Sequence, residues 1–594
     1  MMHDAQTFAG KSALVLALLV TLAYLPAFPG SFLWDDDSAL IENPHIHEPD
    51  GWSRIWFTRE AIEYYPIYYT SLRMQWTLFG AHPSGYLAVN ILLHFCNVLL
   101  FWVLLRRLGV RHAYGAACFF ALHPAAVHAV AWINQHKTVL STLFYLLSTL
   151  LILLHVGTRV SPRSRVRENV AEWNPDSTDP PSHDGGDGAG ESKAAHPALF
   201  ILGFIAFLAG LLTKPTLVLL PLVLMAIARL LHGVSVRRLC VWFAPWLVVA
   251  GAIGMLRLVW QPPPPLLDLS PGRGGEGWLS WAVAGCSTWY SAWKIVVPVD
   301  LAMIYPRWPI ETWTHWALIP LGMVCIVLAL LWKCRKKFPR LWIGGLFYVL
   351  ALAPISGLFD NTFFAFSHIA NHWWYPAMLG LIPIAVVGLH LLLGQFPLQN
   401  KVLQRGVPRA LVALLFILTA RESYRFHDPY YFYERGTREN PDNVVAHHHL
   451  ANLLAEQGEA DAALKHYLEA IRIHPRFWQA RVQAGKILSA QGRLKESFDQ
   501  FWGAFDVHPH DPEINFHLGV LYGQADQPEN AIVHLQRAIS LYDSDPVAWN
   551  NLGTAYFRSG AMEQAVHAFQ QALVLNPDYE AAARNLEHAR EHLH

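Results

Sequence analysis

Phe32-Leu33-Trp34-Asp35-Asp36-Asp37 begins a few residues after the chain's first apolar run ends. That run, Ala13 to Ala27, can cross a bilayer with its flanking residues, and Pro29-Gly30 closes it. Three carboxylates therefore stand close to the hydrocarbon edge. Such a cluster repels itself and raises the pKa of at least one member unless cations or donors stand nearby. It reads either as a solvated acidic flank of a span or as a reactive loop.

The sequence around it is that of a membrane protein. Of 594 residues, 53% are hydrophobic, 13% aromatic and only 15% charged, against roughly a quarter charged in soluble domains. Net charge is +0 and no basic tract of the kind that reads as a nucleic-acid patch occurs, so nothing suggests nucleic acid as a partner. Cys96, Cys118, Cys240, Cys286, Cys325 and Cys334 are scattered without metal-ligand spacing, and none lies in the polar C-terminal part. The first span has no basic n-region or small-residue cleavage site and reads as an uncleaved anchor.

Further apolar runs lie near 86–105, 113–130, 138–156, 197–212, 215–232, 239–259, 279–297, 314–332, 341–357, 374–394 and 407–420. The positive-inside rule places five basic loops in the cytoplasm. They are Arg106 to Arg111, Arg159 to Arg167, Arg237-Arg238, Lys333 to Arg340, and Lys401 to Arg409. Alternation then requires that 279–297, which carries Lys294 and leads to Pro298 and Asp300, lie interfacially or re-enter. About eleven crossings result, with the acidic loop (30–84) and the C-terminus outside. Residues 158–196 are rich in Pro, Gly, Asp and Ser and are predicted to be a disordered cytoplasmic loop.

Past Pro429 a repeat takes over. Gly458, Gly492 and Gly560 are spaced by 34 and 68, with Asp526 in the missing slot, and Ala470, Ala504, Ala538 and Ala572 keep the same step. A 34-residue helix-turn-helix period is the tetratricopeptide signature. The predicted fold is all-α, with a membrane domain over 1–425. A solenoid of about four repeats plus a capping helix follows over 426–594.

Polar residues in the apolar part are the candidate site. Asn90, His94 and Asn97 share one helix face, either as interhelical glue or as ligand contacts. His123, His128, His136 and Lys137 cluster around the third span, and Lys214-Pro215 breaks a hairpin near the outer surface. His447-His448-His449 looks like a metal tract, but adjacent helical residues point about 100° apart and cannot share an ion. On the first helices of the repeats, Asn452, Gln483, Asn515 and Asn550 either line a peptide-binding groove or are simply solvated.

These pieces in this order resemble the transmembrane and tetratricopeptide-repeat-containing O-mannosyltransferases and their bacterial relatives, within the GT-C class of multi-span glycosyltransferases. The resemblance rests on Asp35-Asp36 with Asn43-Pro44, Tyr64-Tyr65-Pro66-Ile67 leading to Arg73, and Gly85 to Asn90 with His94. It continues through His123-Pro124, Lys214-Pro215, Trp293-Lys294 and Asn371-His372-Trp373-Trp374-Tyr375, with the repeats behind. It implies a GT-C-like bundle that transfers a sugar from a polyprenyl-phosphate carrier to a protein hydroxyl at the extracytoplasmic face. Asp35 and Asp36 would be the catalytic pair, one as base and the other orienting a cation, with a divalent ion (Mg or Mn) as a candidate cofactor. Arg73, Lys137, Lys214 and His372 would hold the donor phosphate, with the repeats docking the acceptor protein. The compartment would be a bacterial inner membrane with periplasmic repeats, or the ER membrane with luminal ones. The chain departs from the family at Tyr65, His128, His136 and Asn371, where Arg, Glu, Arg and Asp are frequent. The rival reading is a non-catalytic membrane-anchored repeat scaffold for extracytoplasmic protein assembly.

Overall fold

The computed structural model describes residues 2–58, 64–157, 197–260, 278–310, 316–358, 362–395 and 401–592. Among these, helices and turns account for all regular structure and no strand occurs, so the fold is all-α. The predicted disordered loop, 158–196, lies outside the described residues. Two compact units are present, with the boundary between Phe432 and Tyr433.

In the first unit six described helices are long and apolar enough to cross a membrane: Gly10–Ala27, Pro83–Arg107, Ile133–Gly157, Val236–Leu256, Trp316–Cys334 and Asn371–Gln395. A seventh comes from Ala113–Ala121 and Pro124–Val130, bent by 52° at the break before Pro124. The ring of Pro124 removes a helical N–H, and the His123 imidazole caps the new turn by accepting from the Ala125 N–H at 3.2 Å. Pro197–Thr213, Leu220–His232 and Pro339–Ile355 are apolar but shorter.

The helix Pro83–Arg107 gives the bundle two recognisable ends. Its 25 residues reach about 37 Å at 1.5 Å per residue. Near its start, Tyr86 packs edge-on against Phe32 of the acidic loop, with ring centroids 5.9 Å apart. Past its far end, Arg340 donates from Nε to the Leu108 carbonyl at 2.6 Å. The basic loops around Arg106–Arg111 and Lys333–Arg340 thus meet at the end opposite the acidic loop. Helix Trp278–Val296 packs against the bundle near both its ends. A Cβ added at Gly357, beyond the helix Pro339–Leu352, would stand 2.7 Å from Val283 Cγ1. Near the helix's other end the Ile295 carbonyl faces His123 Nε2 at 2.9 Å.

The second unit is four helix pairs and a closing helix, from Val444–Glu456 to Glu580–Glu591. Gly458, Gly492 and Gly560 turn each pair with φ of 82°, 76° and 82°, and Asp526 takes the same left-handed conformation at 55°. The short polar side chain makes aspartate one of the few residues tolerated there. Gly553 lets paired helices close up, since a Cβ there would meet Phe569 at 2.6 Å.

The histidine tract divides its contacts: His447 bonds His466 at 2.9 Å, His448 packs on Phe477 at 4.8 Å, and His449 stacks on Tyr433 at 4.9 Å. Burial pushes His448 down to about 3 and His449 to about 4, from an ordinary 6.5. Below pH 6.5 the unfolded chain therefore binds protons that the folded repeats refuse, and stability falls with falling pH until the depressed values are reached. The expected result is a melting temperature of the repeat transition that drops between about pH 7 and about pH 5. His448→Phe, which removes one of these protons, should flatten the drop, and a pH-independent transition would contradict it.

Candidate active site

Trp34 sets the geometry of the acidic loop. Its φ of 49° is a left-handed conformation in a bulky residue, a strain of about 1–3 kcal/mol. Ring contacts offset it: the indole stacks on Trp132 at 5.4 Å and meets Phe366 edge-on at 5.7 Å. The turn buries Asp36, which is 1% exposed, leaves Asp35 half-buried and turns Asp37 to solvent.

Asp36 accepts from two backbone amides, Leu33 N–H at 2.8 Å and Asn134 N–H at 2.7 Å. The first closes the loop on itself; the second pins the loop to the start of the third long span. Burial raises the Asp36 pKa well above the usual carboxylate range, Asp35 beside it adds to the rise, and the two amides pull it back. Each oxygen takes one backbone N–H, so Asp36 fixes the loop's shape. Among the described residues, His588, Glu591 and His592, exposed on the last helix, form the group of three metal-type ligands within mutual reach. The described part of the acidic loop assembles no such group of three.

From Asn134 onward the chain carries the cations. Asn134 Oδ1 accepts from the Tyr68 hydroxyl. Lys137, on the next turn, lies over Tyr68 and Tyr65 at 5.6 and 5.9 Å. Lys214, 8% exposed, donates from Nζ to Thr138 Oγ1 at 2.8 Å and to Gln135 Oε1 at 3.4 Å. It is thus drawn into the bundle rather than left at the outer surface. His372 sits edge-on to Trp132 at 5.8 Å, within electrostatic reach of Lys214, His128 and Lys137. Lys137, Lys214 and His372 are therefore brought together beside the loop that Asp36 anchors.

Arg73 is not brought there, which corrects its assignment to the donor phosphate. Its guanidinium donates to the carbonyls of His45 (2.8 Å), Ile46 (3.0 Å) and Glu48 (2.7 Å). The first two are carbonyls at the end of the short helix Pro44–His47, where helical partners run out. The arginine thus braces the outer loop.

The other candidates bond within the bundle. Asn90 accepts from or pairs with His136 Nδ1 at 2.7 Å, while His94 contacts the Tyr375 hydroxyl at 2.7 Å and the Ala121 carbonyl at 3.2 Å. Asn97 donates to the Val139 carbonyl and to Tyr375. Of the two readings of that face, these bonds match interhelical glue. Asn371 accepts from Tyr305 at 2.7 Å and donates to the Ala302 carbonyl.

His128 meets a partner that sequence reasoning missed. Its Nε2 lies 3.0 Å from Glu422 Oε1, which also takes Arg425 Nη1 at 2.7 Å. All three are buried, Arg425 completely. The available signal was an ionisable cluster, Arg421-Glu422 with Arg425, at the end of an apolar run.

On the repeats, Asn515 is fully buried and donates to the Pro509 and Asp511 carbonyls, and Asn550 accepts from Asn585 at 2.9 Å. Both belong to the helix packing, which corrects their assignment to a peptide groove. Asn452, which accepts from Tyr467, and Gln483 remain partly exposed.

Fold and site together define a multi-span helical membrane protein with an acidic loop over a cationic cluster, followed by a tetratricopeptide array. Tetratricopeptide repeat models match residues 433–476, 448–505, 512–545 and 546–579. Along most of its length the chain is similar to protein O-mannosyl-transferases, the family its sequence resembles. It is 23% identical over 499 residues to protein O-mannosyl-transferase F38B6.6 of Caenorhabditis elegans, covering 79% of this chain and 64% of the relative. Against protein O-mannosyl-transferase TMTC4 of Homo sapiens it is 24% identical over 508 residues, covering 76% and 65%. The chain thus spans somewhat less than two thirds of these relatives' length. Among solved structures, YrrB, a TPR protein with an unusual peptide-binding site, is 24% identical with a TM-score of 0.26. That match covers 27% of this chain and 82% of YrrB.

Proposed function

We propose that the chain is a membrane glycosyltransferase that moves a sugar from a polyprenyl-phosphate carrier to a protein hydroxyl at the extracytoplasmic face. The observation that carries this reading is the shared scaffold of the acidic loop and the cations. Asp36 holds Asn134, and three to four residues further Lys137 and Thr138 present or hold the cations. Asp35 takes the proton of the acceptor hydroxyl as its oxygen attacks the sugar's anomeric carbon. The bond from that carbon to the carrier phosphate breaks, and the phosphate leaves with its charge facing Lys137 and Lys214, with the imidazole of His372 beside them. Many spans suit a donor whose tail stays in the bilayer. The extracytoplasmic assignment is supported by the basic loops meeting at the opposite end. The repeats follow the last bundle helix, whose Glu422 reaches His128 at the acidic-loop side, and are proposed to dock the acceptor.

The scaffold reading is favoured by one observation: Asp36 and Arg73 both hold backbone rather than a free site. A purified-protein assay with polyprenyl-phosphate mannose and an acceptor protein separates the two. Transfer is expected, and Lys214→Met should lower it about tenfold, the worth of one charge-assisted contact. No transfer from any lipid-linked sugar by a folded preparation would leave the scaffold.

A further inference from the structure

A second site lies at the other end of the bundle. Between the helices Pro83–Arg107, His136–Gly157, Leu220–His232, Pro339–Leu352 and Trp374–Gln395 runs a groove of about 800 Å³. Its walls are apolar, with Leu105, Leu146, Val223, Phe347 and Ile384 each contributed by a different one of these helices. Thr149, in the wall, donates its hydroxyl back to the Tyr145 carbonyl and offers the groove little. Among the described residues that line the groove, charge is confined to Arg111, Lys337 and Arg340, and none is acidic.

The basic rim is built rather than incidental. Arg340 is fixed across the turn by its bond to the Leu108 carbonyl at 2.6 Å. The turn leaves room for it: Gly109 has φ of 67°, and a Cβ there would stand 2.8 Å from Arg340 Nη2. Arg111 and Lys337 are exposed and make no ion pair among the described residues.

A sugar or nucleotide needs polar groups in the walls of its site, and this groove has almost none. An acyl chain needs none, and a phosphate at its head needs cations where the groove meets the interface. We infer that this groove binds an anionic phospholipid, with an acyl chain between the five helices and the phosphate among Arg111, Lys337 and Arg340. The phosphate position at its rim is not the proposed donor site: Lys137 starts the helix His136–Gly157 at the acidic-loop end, whereas Arg111 and Arg340 lie past the other end of Pro83–Arg107. The inference stands whether or not the chain is a transferase.

The test uses the full chain in neutral detergent, with native mass spectrometry and thermal melting. Phosphatidylglycerol should be retained and should raise the melting temperature, as a ligand that binds only the folded state does. Phosphatidylcholine of the same chains should bind at least about tenfold more weakly, and inorganic phosphate alone should not stabilise. Arg111→Gln with Lys337→Gln, which spares the Arg340 brace, should remove the preference for phosphatidylglycerol. Leu231→Trp, which fills the groove, should reduce retention of both lipids. Equal binding of the two lipids by the parent, or phosphatidylglycerol retention unchanged in both variants, overturns the inference.

Discussion

Asp35→Asn is expected to lower turnover by about a hundredfold or more, the usual share of a positioned general base, without moving the melting temperature. Asp36→Asn is expected to act in the reverse order, on stability first. Asp36 receives a backbone N–H on each oxygen, from Leu33 and from Asn134. An asparagine can accept only one of these and turns its own NH2 towards the other. Leaving a buried donor unsatisfied costs about 1–3 kcal/mol. It also frees the segment that carries Lys137, so transfer would fall together with stability. Asp37 is solvent-exposed and Asp37→Asn should change neither quantity. Turnover of the three variants beside their melting temperatures makes the comparison. If Asp35→Asn retains parental turnover in a folded protein, the base lies elsewhere and the acidic loop is only a flank.

The repeats were legible in the sequence because their constraint is local and periodic. A tight turn needs left-handed backbone every 34 residues, and Gly458, Gly492, Gly560 and even the substitute Asp526 all supply it. The apolar spans were legible for the same reason. The re-entrant reading of Trp278–Val296 came from charge alternation alone. The site was legible by residue type but not by role. Arg73 looks like a phosphate ligand, yet it serves carbonyls 25 to 28 residues away. Asn515 looks like a groove residue, yet its register on the helix points it inward. Glu422 could have been noticed in its ionisable cluster, but its pairing was invisible because His128 lies 294 residues earlier.

That hidden pairing carries the other large effect. Glu422 Oε1 is the shared acceptor of Arg425 and His128, and Arg425 is fully buried beside Phe432. Burying an ion is tolerable only with its counter-ion in place, and removing one partner of such a pair costs about 3–5 kcal/mol. Glu422→Gln keeps the shape and one acceptor oxygen but removes the charge. Its expected result is a large loss of melting temperature and of folded yield in detergent. Arg425→Met alone should also destabilise, since it takes the guanidinium from a buried carboxylate. The double variant, Glu422→Gln with Arg425→Met, has no uncompensated ion and should melt above Glu422→Gln alone. Such recovery is the non-additivity that contacting charges produce, whereas independent sites would add. A Glu422→Gln protein that melts like the parent, or a double variant whose loss equals the sum of the single ones, would mean that the buried ions do not support each other.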